Sequence, residues 1–376
     1  MEKDFMEYIR IMDTLGVHQM ILQGPPGTSK TYNAKKIIAE GIFVSNLENK
    51  PKDFTGSKEQ ITEILNDNQI NSEGEGYWDM VQLHPSYGYE DFVRGITIKT
   101  ENQQIQYETV NKIFGKMCKI AGDSKANGKA KKYFLLIDEI NRADVATVFG
   151  ELIYALEYRN EAIETPYEVE QSSKEQSSMV KSSKITVPDN LYIIGTMNTA
   201  DKSVGNIDYA IRRRFIFFDL LPDENVIKSE KKKENESEIE KEKTKAKKVF
   251  LGVNEFIKTS INTQYRANDF LIGHTYFLLP EKLEENNTEN GNSKEEKLKN
   301  LIKYRMEYQV LPILREYYID GIIGLSNNDY LNKYLAGKVE LSDEVNDEKD
   351  KKDNKKEEKK YVINKIINAF IEKMEN

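Results

Sequence analysis

Eight consecutive residues, Gly24-Pro25-Pro26-Gly27-Thr28-Ser29-Lys30-Thr31, join a glycine-rich turn to a lysine and a hydroxyl. That order suits a phosphate tail, because backbone N–H groups converge on an anion where a tight loop enters a helix N-terminus. Lys30 is then placed to reach β- and γ-phosphates, and Thr31 to hold Mg²⁺ through its hydroxyl. Asp138-Glu139 end an apolar run further along the chain. Asp138 suits the metal's coordination shell, and Glu139 suits orienting and deprotonating an attacking water. Asn198, in Gly195-Thr196-Met197-Asn198-Thr199-Ala200-Asp201, carries both a donor and an acceptor. It can bond a water and a γ-phosphate oxygen together, or simply cap a turn. Arg212-Arg213-Arg214 cannot share one target, since successive helical side chains project ~100° apart. One of them can act as an arginine finger across a subunit boundary; the alternative is favourable placement at a helix C-terminus.

The elements that must position these residues are legible as apolar runs. Met20-Ile21-Leu22, Met80-Val81-Gln82-Leu83, Tyr133 to Ile137, Leu191 to Ile194 and Phe215 to Phe218 each read as a strand. Continuous apolar runs of this length belong to strands covered on both faces, as in a parallel sheet. Helical spacing lies between them, as in Ala34, Ile37, Ile38 and Ile42, or Val148, Leu152, Ala155 and Leu156. The alternation predicts an α/β doubly wound domain, whose ligands bind beyond the carboxyl ends of the strands.

After Pro222 the character changes. Residues 228–248, 281–298 and 343–360 are dominated by Lys, Glu and small polar residues, the composition of solvated helix faces or disordered insertions. Amphipathic helices are expected at 249–261, at 362–374, and at 301–318 with a kink at Pro312. The organisation expected is therefore residues 1–222 as an α/β nucleotide-binding domain, with a flexible insertion at about 165–186. Residues 223–376 follow as a smaller, mainly helical lid domain with charged insertions.

Composition narrows the class. The chain has 376 residues, 38% of them hydrophobic and 31% charged, with a net charge of −8. An acidic chain lacks the overall positive field that drives non-specific DNA binding. One cysteine, Cys118, excludes an internal disulfide framework, and one cysteine with three scattered histidines makes no structural zinc site. No apolar stretch approaches a membrane span, and the start MEKDFMEYIR is not a signal peptide. The expectation is a soluble, cytoplasmic protein with no membrane contact.

Taken together, Gly24–Thr31, Asp138-Glu139-Ile140-Asn141-Arg142, Met197-Asn198-Thr199-Ala200-Asp201 and Arg212-Arg213-Arg214-Phe215 resemble the AAA+ proteins of the McrB type, motor subunits of a modification-dependent restriction system. Val81 to Phe92, Val148-Phe149-Gly150-Glu151 and Ile272-Gly273-His274-Thr275-Tyr276-Phe277 extend the likeness over roughly residues 5–320. The resemblance implies a P-loop NTPase fold with a five-stranded parallel sheet and a helical lid. It also implies Mg²⁺-dependent hydrolysis of GTP rather than ATP, a hexameric ring, and a nuclease partner of the McrC type. DNA would be met only through that partner or the ring pore. By the same resemblance Asn198 is the sensor, Asp201 lies among the nucleotide-contacting residues, and Arg213 and Arg214 act at a neighbouring subunit. Two positions depart from the motifs. Ser29 stands where glycine is usual, which costs about 1–2 kcal/mol if the backbone there is left-handed. Lys202 stands where arginine is expected, and a bidentate contact is lost with it. The family's DNA-reading domain has no counterpart in the short segment before Gly24, so the reader is expected on another polypeptide or in a longer form.

Two other readings share these residues: an ATP-driven AAA+ remodelling protein of the MoxR- and dynein-related kind, and a non-catalytic nucleotide-binding scaffold. Intact Lys30, Asp138, Glu139 and Asn198 speak against the scaffold. The guanine-reading Asn-Lys-x-Asp pattern is absent, so the GTP expectation rests on resemblance alone.

Overall fold

A computed structural model of the chain describes residues 5–47, 54–101, 104–128, 131–172, 179–201, 207–227, 238–279, 294–324, 329–335 and 365–371. By its contacts the chain forms two compact units: Met1–Gln23 with Lys30–Asp219, and Gly24–Ser29 with Leu220–Asn376.

The first unit runs α1 (Met6–Leu15), β1 (Gln19–Gly24), α2 (Lys30–Ser45), α3 (Lys58–Asn68), β2 (Trp78–Gln82), α4 (Tyr89–Phe92), β3 (Arg94–Glu101), β4 (Gln104–Asn111) and α5 (Ile113–Ala126). It continues with β5 (Tyr133–Asp138), α6 (Val145–Phe149), α7 (Leu152–Glu157), β6 (Ala162–Ser172), β7 (Met179–Thr186), β8 (Leu191–Asn198), α8 (Tyr209–Arg212) and β9 (Ile216–Asp219). Five strands form a parallel sheet in the order β2-β5-β8-β1-β9. The chain leaves β1 for the far edge, steps back through β5 and β8, and crosses to β9. The winding therefore reverses beside β1, and β5, β8 and β1 lie side by side with their carboxyl ends together. Open α/β sheets bind ligands at such a reversal.

Burial explains why the apolar runs became strands. Phe134, Leu135, Leu136 and Ile137 of β5 and Ile193 and Ile194 of β8 have no exposed surface. Each such side chain stabilises the sheet by about 1.5–3 kcal/mol. A core of α5, α6 and α7 side chains, with Phe92, Phe114 and Phe149 in ring contact, covers one face.

Three local expectations change. The helical pattern from Val148 to Leu156 is two helices, because Gly150 closes α6 with φ +51°. The segment expected as a flexible insertion at 165–186 pairs, in its described residues, as the antiparallel ribbon β6–β7 with an irregularity between Glu164 and Val169. Its Ser-, Lys- and Glu-rich composition hid the alternation that places Val169 and Ile185 inward. Residues 173–178 lie outside the described residues, as does Lys202. The break near Pro312 falls one turn earlier than expected, as a π-helical turn over Met306–Val310. Proline has no N–H to donate and its ring crowds the preceding turn, so the wider turn absorbs it.

The second unit holds α9 (Glu238–Ser260), α10 (Lys294–Arg305), α11 (Leu311–Ile319) and α12 (Asp329–Leu335), with residues 365–371 also helical. Val249, Phe250, Val253, Phe256 and Ile257 make the buried stripe of α9. The charged tracts fall largely outside the described residues, except where 238–248 opens α9 and 294–298 opens α10. Among the described residues no helix is long and apolar enough to cross a membrane.

Candidate functional site

In the first unit, adjacent strands bring three of the expected residues into one hydrogen-bonded cluster. Asp138 ends β5, and its Oδ1 accepts from Thr31 Oγ1 at 2.7 Å and from Thr196 Oγ1 at 2.6 Å. The register explains this: Ile137 pairs with Gly195, so Asp138 and Thr196 are neighbours one step further. Thr196 Oγ1 in turn accepts the N–H of Glu139 at 3.1 Å. One buried hydroxyl thus fixes both carboxylate residues. Glu139 itself has φ 53° and ψ 49°, the left-handed conformation, which costs a side-chain-bearing residue of order 1–3 kcal/mol. The strained backbone turns the chain sharply from β5 into the short helix Ile140–Arg142.

Electrostatics follow from that crowding. Burial and the neighbouring Asp138 push the Glu139 carboxyl above its usual value, against the pull of Lys30. Burial brings the Lys30 ammonium down to about 8, although Glu139 and Asp138 oppose the fall. Both shifts belong to a desolvated cation–anion pocket, and both resemble the tuning found at reactive sites.

At the end of β8, Asn198 Oδ1 accepts the N–H of Ala200 at 3.3 Å, so the carbonyl side of the amide caps its own turn. Asn141 donates to the Asn198 carbonyl at 3.2 Å, and its own buried Oδ1 has no hydrogen-bond partner among the described residues. Arg142 approaches Asp201 at 4.0 Å.

Arg213 and Arg214 engage Glu157 at the end of α7, at 3.3 Å and 2.8 Å. They differ in exposure: the Arg213 side chain is 64% exposed and that of Arg214 9%. Arg214 also donates to the Ala210 carbonyl at 2.8 Å. Arg212 lies over the Phe217 ring.

Within the second unit, Gly24–Ser29 is gripped by the segment around His274. The N–H of Gly273 donates to Pro26 O at 2.9 Å and that of Thr275 to Gly27 O at 3.1 Å. Thr28 Oγ1 closes the loop on Pro25 O at 3.0 Å. Gly27 has φ +77°, and a Cβ there would fall 2.5 Å from the Tyr276 ring. With the carbonyls of Pro25, Pro26 and Gly27 all accepting hydrogen bonds, the loop is held in one conformation.

The family described as AAA domain (dynein-related subfamily) matches residues 59–215. The Type IV methyl-directed restriction enzyme EcoKMcrB subunit of Escherichia coli (strain K12) is 31% identical over 304 residues, which is 80% of this chain and 54% of that protein. The chain is an AAA+ module of the McrB type. A second relative, the Type II restriction enzyme BsuMI component YdiS of Bacillus subtilis (strain 168), is 37% identical over 89 residues, 23% of this chain and 26% of that one. The chain thus spans about half the length of the McrB subunit and a quarter of YdiS.

In this McrB-type module the residues fit a Mg²⁺–nucleotide rather than a self-contained metal site. Among the described residues no group of three His, Cys, Asp or Glu could hold a metal. One carboxylate and one hydroxyl on a shared hydrogen bond are what Mg²⁺ uses when phosphates and water complete its shell. Sequence reasoning assigned no role to Thr196; a lone hydroxyl in an otherwise apolar strand was the available signal. It likewise left Glu157 unassigned, and for that residue the sequence carries no signal.

Proposed function

We propose that this module hydrolyses nucleoside triphosphate, GTP in preference to ATP, as the motor of a restriction complex. The observation that carries the reading is the cluster on Asp138: Thr31 and Thr196 share its Oδ1, and Thr196 also fixes Glu139. Lys30 faces the phosphates, while Thr31 and Asp138 hold Mg²⁺, which supplies charge neutralisation and a template for the phosphate oxygens. Glu139, its carboxyl raised above the usual value by burial and by Asp138, takes a proton from the water that attacks the γ-phosphorus. The bond to the β–γ bridging oxygen breaks, leaving nucleoside diphosphate and inorganic phosphate. With its Oδ1 engaged by Ala200, Asn198 acts through its NH₂ on the water or the γ-phosphate. Arg213, the more exposed arginine, completes the site of a neighbouring copy, so the working form is a ring, with six members by family likeness. The two relatives, both restriction-enzyme components, support membership of a multi-subunit restriction system; the McrC-like nuclease partner, and DNA contact through it or the pore, follow from family likeness.

The dynein-related description of the matched family keeps ATP as the second reading. Phosphate release from GTP and ATP, measured side by side with and without the partner, decides between them. The expected result is a kcat/KM for GTP well above that for ATP; equal values assign the module to the ATP-driven group.

A further inference from the structure

Ser29 occupies the last loop position before Lys30 with φ +61°, where glycine is relaxed and serine is strained. Its hydroxyl lies 3.0 Å from Nε2 of His274. On the other side of that imidazole, Nδ1 accepts the backbone N–H of Asp223 at 3.3 Å. An acceptor at Nδ1 places the ring proton on Nε2, so His274 donates to Ser29 Oγ. The serine hydroxyl keeps its own proton, free to be donated elsewhere.

The histidine is itself held in place. It is 4% exposed. Asn254 of α9 bonds both the N–H and the C=O of Ile272, at 2.8 and 3.0 Å, two residues before it. Gly273 lies so near the loop that a Cβ there would fall 1.9 Å from Gly27 carbonyl atoms. The segment 272–275 is thus a rigid mount, and the Ser29–His274 bond joins side chains where the flanking contacts join backbones.

We propose that His274 is a positioning residue of the phosphate loop. By donating to Ser29 Oγ it holds residue 29 in the left-handed conformation and directs the hydroxyl proton to a phosphate oxygen of the nucleotide. Serine in place of glycine then gains a phosphate donor in exchange for backbone strain. This rests on the nucleotide-binding reading above only in naming the phosphate as the recipient.

The test is a double-mutant cycle with two readouts. The first is affinity for a fluorescent, non-hydrolysable GTP analogue and its ATP counterpart. His274→Ala weakens binding about tenfold, as expected for one charge-assisted hydrogen bond of ~1.5 kcal/mol. His274→Gln, which keeps an N–H at similar reach, restores most of it. In a Ser29→Gly background, His274→Ala changes affinity less than twofold. Ser29→Ala, which keeps the strain and loses the donor, binds more weakly than Ser29→Gly. The second readout needs no nucleotide: amide exchange across residues 24–30 speeds up in His274→Ala and not in His274→Gln. Equal losses from His274→Ala in both backgrounds, or unchanged loop exchange, overturn the proposal. If the wild type binds neither analogue, the functional reading fails, while loop exchange still decides whether His274 holds residue 29.

Discussion

At the scale of single residues, the cluster on Asp138 turns on one hydroxyl. Thr196 satisfies Asp138 and the N–H of a strained Glu139 at once. Thr196→Val keeps the volume and removes both bonds. Turnover should fall by roughly 10- to 100-fold with KM little changed, because Glu139 loses its fixed position and general-base steps contribute ~10²–10⁴. The unfolding midpoint should drop by only a few degrees, in line with ~1–2 kcal/mol for the lost partner. Unchanged turnover in that variant would remove Thr196 from the site. Lys30 gives the pH dependence. Burial lowers it to about 8 in the free chain, and phosphate oxygens raise it again on binding. Binding above pH 8 therefore takes up a proton, and nucleotide affinity should weaken by up to about tenfold per pH unit there. A dissociation constant measured from pH 7 to 9.5 checks the sign. An affinity that is flat or improves with pH contradicts it.

Among elements, the end of α7 and the turn after α8 separate two arginines that the sequence presents as equivalent. Arg214, 9% exposed and bonded to Glu157 and the Ala210 carbonyl, holds the turn that leads into β9. Arg213, 64% exposed, shares Glu157 and keeps a solvated head. Arg214→Ala should lower stability by about 1–3 kcal/mol, read as a clear fall in the thermal midpoint. Arg213→Ala should leave the midpoint nearly unchanged, as exposed pairs contribute ~0–1 kcal/mol, while turnover collapses. The reverse pattern assigns the finger to Arg214. The sequence could not make this distinction, because consecutive arginines in the turn after a short helix differ only in what lies beneath them. The three central strands were legible for the opposite reason: apolar runs such as Tyr133 to Ile137 are covered on both faces whatever their neighbours do, while the edge strands β2 and β9, only partly buried, were legible from their apolar residues alone. The β6–β7 ribbon was not legible, since half its residues face solvent and carry Ser, Lys or Glu.

At the scale of the whole molecule, Lys30, Thr31, Asp138 and Glu139 could be singled out in the sequence because the phosphate chemistry proposed for them allows few substitutes. What the sequence hid were contacts between remote segments: Thr196 under Glu139, Glu157 under the arginines, His274 on Ser29. In the proposed function, hydrolysis occurs at Glu139 of one chain and is completed by Arg213 of another. A finger in trans contributes ~10³–10⁵ in rate, so its loss is unmistakable. The most direct measurement is phosphate release from GTP by a mixture of two variants. Glu139→Gln keeps the finger and lacks the base; Arg213→Ala keeps the base and lacks the finger. Each alone should bind nucleotide and turn over at background, and the mixture should recover a substantial fraction of wild-type activity. A mixture that co-assembles and stays at background, or a Glu139→Gln chain that is active alone, contradicts the account.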